Sequence, residues 1–338
     1  MKKSFILLLA VALVLSGCAG QPEEPMIRVG LCLPSAEVPY AQALRQELVR
    51  SGCYVNLLVG KQNQSLQNRQ VAQLVQEQYD LLIIEPVIQA ATDSLLEGVE
   101  AVGIPAILLN TRSQSARARG QVCRVGFSEE QAGSLQGQCI LATPDRGDIN
   151  GDGQVACAIL SGPEDLVDTP VHSSACMAAL HDAGIRVQLL AQVYGDHSPA
   201  RGQALTEGLL DRFANEIEVL FCGNGQLALG ALTALEAAGR SVNEDIYVVS
   251  IGGGEKISQR IAAGAMTGAV MADYDVMAVQ VTRAAEALLS GRPLPQVSAP
   301  YTLKQAQNIR GKKISSRGCV HSIAISLPST GSKAAPYQ

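Results

Sequence analysis

The sequence predicts an α/β protein built from two consecutive doubly wound parallel-sheet domains. Three observations carry this. Short β-branched and aliphatic runs alternate with helical patterns along most of the 338 residues, and such alternation implies a parallel sheet covered by helices. The β-α pattern runs through four repeats, breaks at a polar link over residues 111–120, and then restarts. At 47% hydrophobic residues the chain has ample material for two cores of ordinary size.

The elements follow in order. Strands are expected at 27–33, 54–59, 81–84 and 105–109, separated by helices at 41–50, 65–77 and 90–102. Pro105 begins its strand, where a missing N–H is tolerated. After the link, strands at 122–126, 155–160, 187–193, 218–222, 246–251 and 267–271 alternate with helices at 129–141, 171–183, 200–213, 226–238 and 255–263. Asn224 is placed to cap one of these helices. A last helix is expected over 274–290. Beyond Tyr301 the pattern fades, and residues 310–338 read as a basic, then Ser/Gly/Pro-rich, mobile tail.

The N-terminus reads as an export signal. Lys2 and Lys3 precede an apolar run over 5–15 that is too short to favour a membrane span. Leu15-Ser16-Gly17-Cys18 reads as a lipobox, with residues 1–17 removed, lipid on Cys18 and a polar linker over 18–26. The mature chain is therefore expected in the cell envelope, exported and tethered to the membrane, facing the periplasm or the outside.

Composition excludes several functions. The formal net charge is −5, and no basic cluster in the body of the chain suits nucleic acid. Beyond Cys18 eight cysteines remain, with no C-x-x-C pair or zinc spacing. Several lie within apolar runs and read as small buried residues. His172, His181 and His197 have no catalytic motif around them, so no enzyme is expected.

One stretch carries specific chemistry. Asp148, Asn150 and Asp152 place side-chain oxygens on alternate residues, Gly153 follows at the sixth place, and the Gln154 carbonyl falls at the seventh. This is the first half of a calcium loop. The second half is missing, because Ala156 and Ile159 stand at places nine and twelve. Either the stretch is a polar surface turn, or a carboxylate from elsewhere completes it.

In doubly wound sheets, ligands bind beyond the carboxyl ends of the strands. That rule selects 35–40, Glu85, Asn110, 165–168, Tyr194, Asn224, 252–254 and Ala272-Asp273 as cleft candidates.

From Ile27 to about Tyr301 the chain resembles a type I periplasmic binding protein, in particular the galactose/glucose-binding branch of sugar ABC-transporter receptors. The resemblance is carried by Asn63-Gln64-Ser65…Gln70, Val125-Gly126…Gly133…Gln136-Gly137, the Asp148 loop, Leu160-Ser161-Gly162, Ile217-Glu218-Val219, Gly230-Ala231…Ala234-Leu235 and Ser290-Gly291. Many of these are shared across the fold; the Asp148 loop placed before a strand is much more specific to that branch. The resemblance implies two domains joined by a three-strand hinge, with the ligand cleft between them. The first would hold 27–110 plus 272–298, the second 111–271 plus 299–309, with crossings near Asn110, Ala272 and Ser298.

It also implies that Glu218 completes the calcium loop, giving Asp148, Asn150, Asp152, the Gln154 carbonyl and Glu218 as a structural calcium site. An oxygen ligand of the branch is replaced by Ala156. For the solute it implies Asp168 and Asn224 as hydroxyl partners, although helix capping would account for both. Tyr194 stands in place of a stacking tryptophan, Tyr40 could oppose it, and Glu85 replaces an asparagine. Leu166, His172, Gly252 and Ala272 replace polar ligands of the branch, so the solute is expected to differ from galactose or glucose. The implied function is solute capture, a carbohydrate or another small polar molecule, by a monomer that delivers it to an ABC-type membrane permease. A sensory module feeding a signalling partner is the alternative. A repressor of the same fold is disfavoured by the lipobox.

Overall fold

The computed structural model describes residues 26–111, 121–163, 168–292, 296–309 and 312–313. The signal segment, Cys18 and nearly all of the tail lie outside them. No helix among the described residues is long and apolar enough to cross a membrane.

The first sheet contains β1 (Arg28–Leu33), β2 (Tyr54–Val59), β3 (Leu81–Ile84), β4 (Ala106–Leu109), β5 (Val122–Phe127) and β11 (Gln296–Ala299). Its order is β11-β5-β4-β3-β1-β2, and every pairing is parallel. The second sheet contains β6 (Val155–Ser161), β7 (Val187–Tyr194), β8 (Val219–Cys222), β9 (Tyr247–Ile251), β10 (Gly268–Ala272) and β12 (Tyr301–Gln305). Its order is β12-β10-β9-β8-β6-β7, with only β12 antiparallel. The central strands β3, β4 and β8 are buried along their whole length. This is why they read as unbroken apolar runs.

Nine helices occur among the described residues: α1 (Ala41–Arg50), α2 (Gln64–Gln76), α3 (Thr92–Ala101), α4 (Glu129–Leu141), α5 (Asp168–Asp182), α6 (Pro199–Phe213), α7 (Gly225–Ala237), α8 (Glu255–Ala262) and α9 (Tyr274–Leu289). On one face of the first sheet, Leu44 and Leu48 of α1 pack with Met277 and Val281 of α9. On the other, Val71 and Leu74 of α2 pack with Leu95, Leu96 and Val99 of α3. Helices α4 to α8 enclose the second sheet in one continuous core. Side chains cap several helix starts: Asn63 accepts from Leu66 N–H, Ser128 from Gln131 N–H, Ser198 from Arg201 N–H and Asp273 from Val276 N–H. Each satisfies a donor that the first turn leaves without a partner.

The glycines of the Gly133…Gly137 fragment have a packing role. A Cβ on Gly133 would run into the His172 carbonyl and the Ala175 side chain, so glycine lets α4 and α5 approach backbone to backbone.

The domain boundary differs from the sequence expectation. The polar link over 111–120 lies between two strands of one sheet, because β5 hydrogen-bonds to β4 on one side and β11 on the other. The chain therefore crosses at Phe127–Ser128, not near Asn110. The other crossings fall between β10 and α9, at Ala272–Asp273, and between β11 and β12, around Pro300. The Asp273 N–H donates to the Pro300 carbonyl at 3.2 Å, tying two crossings together. Part of the expected tail is also ordered into a strand, since β13 (Asn308–Ile309) pairs antiparallel with β14 (Lys312–Lys313).

Of the seven described cysteines all but Cys53 are buried, and Cys32, Cys123, Cys157, Cys176 and Cys222 are buried free thiols. Burial pushes the Cys32 and Cys157 thiols up to about 12, which makes them inert apolar residues.

Candidate functional site

The carboxyl end of the first sheet gathers a polar cluster from three loops. Tyr40 follows β1, Glu85 follows β3 and Asn110 follows β4. The Tyr40 hydroxyl donates to Glu85 Oε2. Asn110 Nδ2 reaches Glu85 Oε1 at 3.1 Å and the Tyr40 hydroxyl at 3.3 Å. Asn110 has a φ of 47°, in the left-handed region that asparagine tolerates better than most residues. Beneath the cluster, buried Gln67 donates to the Glu85 carbonyl at 2.7 Å and accepts from Val87 N–H at 3.0 Å, fixing the loop after β3.

Burial pushes the Glu85 carboxyl above its ordinary range, opposed by the donors on Tyr40 and Asn110. Burial and the Glu85 charge likewise raise the Tyr40 phenol. Tyr40 is only 4% exposed, so it holds Glu85 and does not offer the open ring face expected of it. Partly exposed rings at this end belong to three other residues. Tyr274 packs on Tyr40 with ring centroids 5.9 Å apart, Phe127 meets Tyr274 edge-on at 5.8 Å, and Tyr301 lies 5.0 Å from Phe127. Tyr274, Phe127 and Tyr301 are each partly exposed. They stand at the three crossings, and the chain has only twelve Phe and Tyr and no Trp. Aromatic residues flanking the hinge strands were the available signal.

In the second domain, Asn224 Oδ1 accepts from Gln226 N–H at 3.0 Å and Leu227 N–H at 2.9 Å, so it caps α7. Its Nδ2 is buried without a partner, so one end of the amide is free for a further contact. Tyr194 closes β7, and its carbonyl accepts from Arg201 at 3.3 Å. Asp168 begins α5, but its side chain lies outside the described atoms. His172 is paired with Glu129 across the α4–α5 contact. Behind it a cavity of about 10 Å³, with Gln136, Ser161 and Ser173 among its lining, has room for a single water. Among the described residues, no hydrogen bond or ring contact joins Tyr40 or Glu85 to Tyr194 or Asn224. The structure thus pairs the two first-domain candidates and leaves the second-domain pair apart from them.

The Asp148 loop lies at the opposite end of the second sheet, just before β6. Asp148 Oδ1 accepts from Gly151 and Asp152 N–H at 2.8 and 3.1 Å, and Oδ2 from Gly153 N–H at 3.0 Å. Asn150 Oδ1 accepts from Asp152 N–H, and Asp152 Oδ1 from Gln154 N–H. Gly153 has a φ of +87°, which explains glycine at the turn. Glu218, immediately before β8, reaches the loop from 68 residues away, taking Asn150 N–H on Oε1 and Ala156 N–H on Oε2, both at 2.9 Å.

Glu218 is 3% exposed. Burial raises its carboxyl, backbone N–H groups of Ala156, Asn150 and Ile149 oppose this, and the Asp148 charge adds to it. Among the described residues no ion pair includes Asp148, Asp152 or Glu218. Asp148 and Glu218 thus lie within electrostatic reach of one another, and no basic side chain among the described residues pairs with either. No three His, Cys, Asp or Glu side chains among the described residues form a preassembled metal cluster. The donor set is all oxygen and suits a hard cation.

Known proteins place these features in context. A family model described as "Periplasmic binding protein domain" matches residues 29–293. The ribose import binding protein RbsB of Bacillus subtilis is 24% identical over 90% of this chain and 99% of its own length. The D-galactose/methyl-galactoside binding periplasmic protein MglB of Haemophilus influenzae is 27% identical over 81% of this chain and 85% of its own. Among solved structures, a periplasmic ribose ABC transporter protein from Conexibacter woesei superposes with a TM-score of 0.72 at 21% identity, covering 83% of this chain and 92% of that one.

Proposed function

Since the chain belongs to the periplasmic binding protein family over residues 29–293, we propose that it is the extracytoplasmic solute-binding component of an ABC-type sugar uptake system, and not an enzyme. Ligand seats between the carboxyl ends of the two sheets, the domains close about the three crossings, and the closed form docks on a membrane permease. The observation that carries this reading is the polar and aromatic lining at that end of the first sheet: Glu85 and Asn110 beside the partly exposed rings of Tyr274, Phe127 and Tyr301. Sugar sites combine apolar ring faces with a few polar groups that fix orientation. Relatives whose names specify ribose and galactose support a carbohydrate ligand. The test is a thermal-shift screen of pentoses, hexoses and their derivatives. At least one is expected to raise the melting temperature; no response to any sugar overturns the carbohydrate assignment.

We also propose that Asp148, Asn150, Asp152, the Gln154 carbonyl and Glu218 hold a structural calcium ion. The ion would supply the positive charge that no side chain supplies there, clamping the loop to the start of β8. Support comes from the buried Glu218 carboxylate reaching the loop without a cationic partner. The sequence lipobox further supports lipid attachment at Cys18, which would hold the protein at the membrane.

A further inference from the structure

Glu85 is a largely buried carboxylate with neutral partners only. The Tyr40 hydroxyl and Asn110 amide hold its two oxygens, and no Lys, Arg or His pairs with it among the described residues. The rings of Tyr40, Tyr274, Phe127 and Tyr301 continue from it in one run, with centroid spacings of 5.9, 5.8 and 5.0 Å. Burial, and after it the Glu85 charge, raises the Tyr274 phenol.

A carboxylate beside aromatic faces has a specific preference. Both attract positive charge, the carboxylate directly and the ring faces through their quadrupole. A sugar hydroxyl both donates and accepts, but an ionised carboxylate and a ring face can only accept. An alkylammonium group donates three N–H bonds, accepts none and carries the charge the carboxylate lacks. Asn110 Nδ2, a side-chain donor beside the carboxylate, is already committed to Glu85 and Tyr40.

Resting on the receptor reading, we infer that the solute presents a protonated nitrogen to Glu85 and the Tyr274–Phe127–Tyr301 faces, so that the ligand class is the amino-substituted sugars. Glu85 selects the charged nitrogen, and the rings cover the carbon skeleton next to it.

The experiment is titration calorimetry of the folded, exported form with matched probes: D-glucosamine and D-galactosamine, their N-acetyl derivatives, and D-glucose and D-galactose, at a pH where the amines are protonated. At least one free amine should bind roughly tenfold or more tighter than its hydroxyl parent and its N-acetyl form. Glu85→Gln should erase that preference, and Glu85→Asp, which keeps the charge, should retain part of it. Each variant is first shown to melt cooperatively, so that misfolding is separated from lost recognition. Neutral sugars binding as well as the amines, or a preference that survives Glu85→Gln, overturns the inference and leaves the receptor reading standing. No binding by any of the probes, with binding by other neutral sugars, also overturns it. Failure of all sugars, neutral and amino, overturns the inference and the carbohydrate reading together.

Discussion

Glu85 and Tyr40, 45 residues apart in sequence, meet through a hydrogen bond that joins the loop after β3 to the loop after β1. The bond satisfies the carboxylate without neutralising it, because a phenol brings a proton but no charge. The consequence is a stability that depends on pH. Burial raises the folded-state carboxyl above its unfolded value. The charge-related cost is therefore absent below the ordinary carboxylate range and develops as pH rises through the raised folded value. Glu85→Gln should melt higher than the parent at pH 8, and the difference should shrink towards about pH 4. A parent that is stabilised by ionisation of Glu85 over this window would contradict the assignment.

Glu218 holds the Asp148 loop through two backbone N–H groups. Removing its carboxylate in Glu218→Ala strands the N–H groups of Asn150 and Ala156. The Ala156 N–H is buried whereas Asn150 is exposed, and a buried unsatisfied donor costs about 1–3 kcal/mol. Chemical denaturation without calcium should therefore show a loss of about 1–3 kcal/mol; a loss within error would mean the loop is held by its internal bonds alone.

The calcium proposal has a separate readout. A calcium chelator should lower the melting temperature of the parent, and calcium should restore it. Asp152→Ala should remove the response, since it deletes one of the expected oxygen ligands. A parent indifferent to chelator and calcium rules out the site.

Asn224 caps α7 through its Oδ1. Asn224→Ala should cost about 1 kcal/mol of stability from the lost cap. If the partnerless Nδ2 also meets solute, the same change weakens binding of the best sugar, whereas Asn224→Asp keeps the cap and isolates the amide donor. Equal affinity in the parent and Asn224→Asp would confine the residue to capping.

Gly133 sets the spacing of α4 and α5. Gly133→Ala forces a Cβ against the His172 carbonyl, and overpacking of this kind costs about 1–3 kcal/mol. Denaturant titration should find such a loss, and an unchanged midpoint would mean that the helices separate freely.

The alternation of apolar runs and helical patterns made both sheets legible, because parallel strands such as β3 and β8 are buried on both faces. The boundary at Asn110 was misread because a polar loop inside one sheet has the same composition as a link between domains. Only the pairing of β5 with β4 and β11 separates the two cases. The Asp148 loop was legible as half a site, and Glu218 became visible through family resemblance, since a contact spanning 68 residues leaves no local pattern. Tyr40 and Glu85 followed from the rule that ligands sit beyond strand ends. Tyr274, Phe127 and Tyr301 did not, because their grouping depends on where three crossings converge, and the first crossing had been set 17 residues too early.

Binding by closure about those crossings is the central claim, and small-angle X-ray scattering tests it most directly. The radius of gyration is measured with and without the sugar that gives the largest thermal shift. Closure predicts a smaller radius on saturation, reversed when the sugar is removed. A sugar that binds and leaves the radius unchanged would contradict the account.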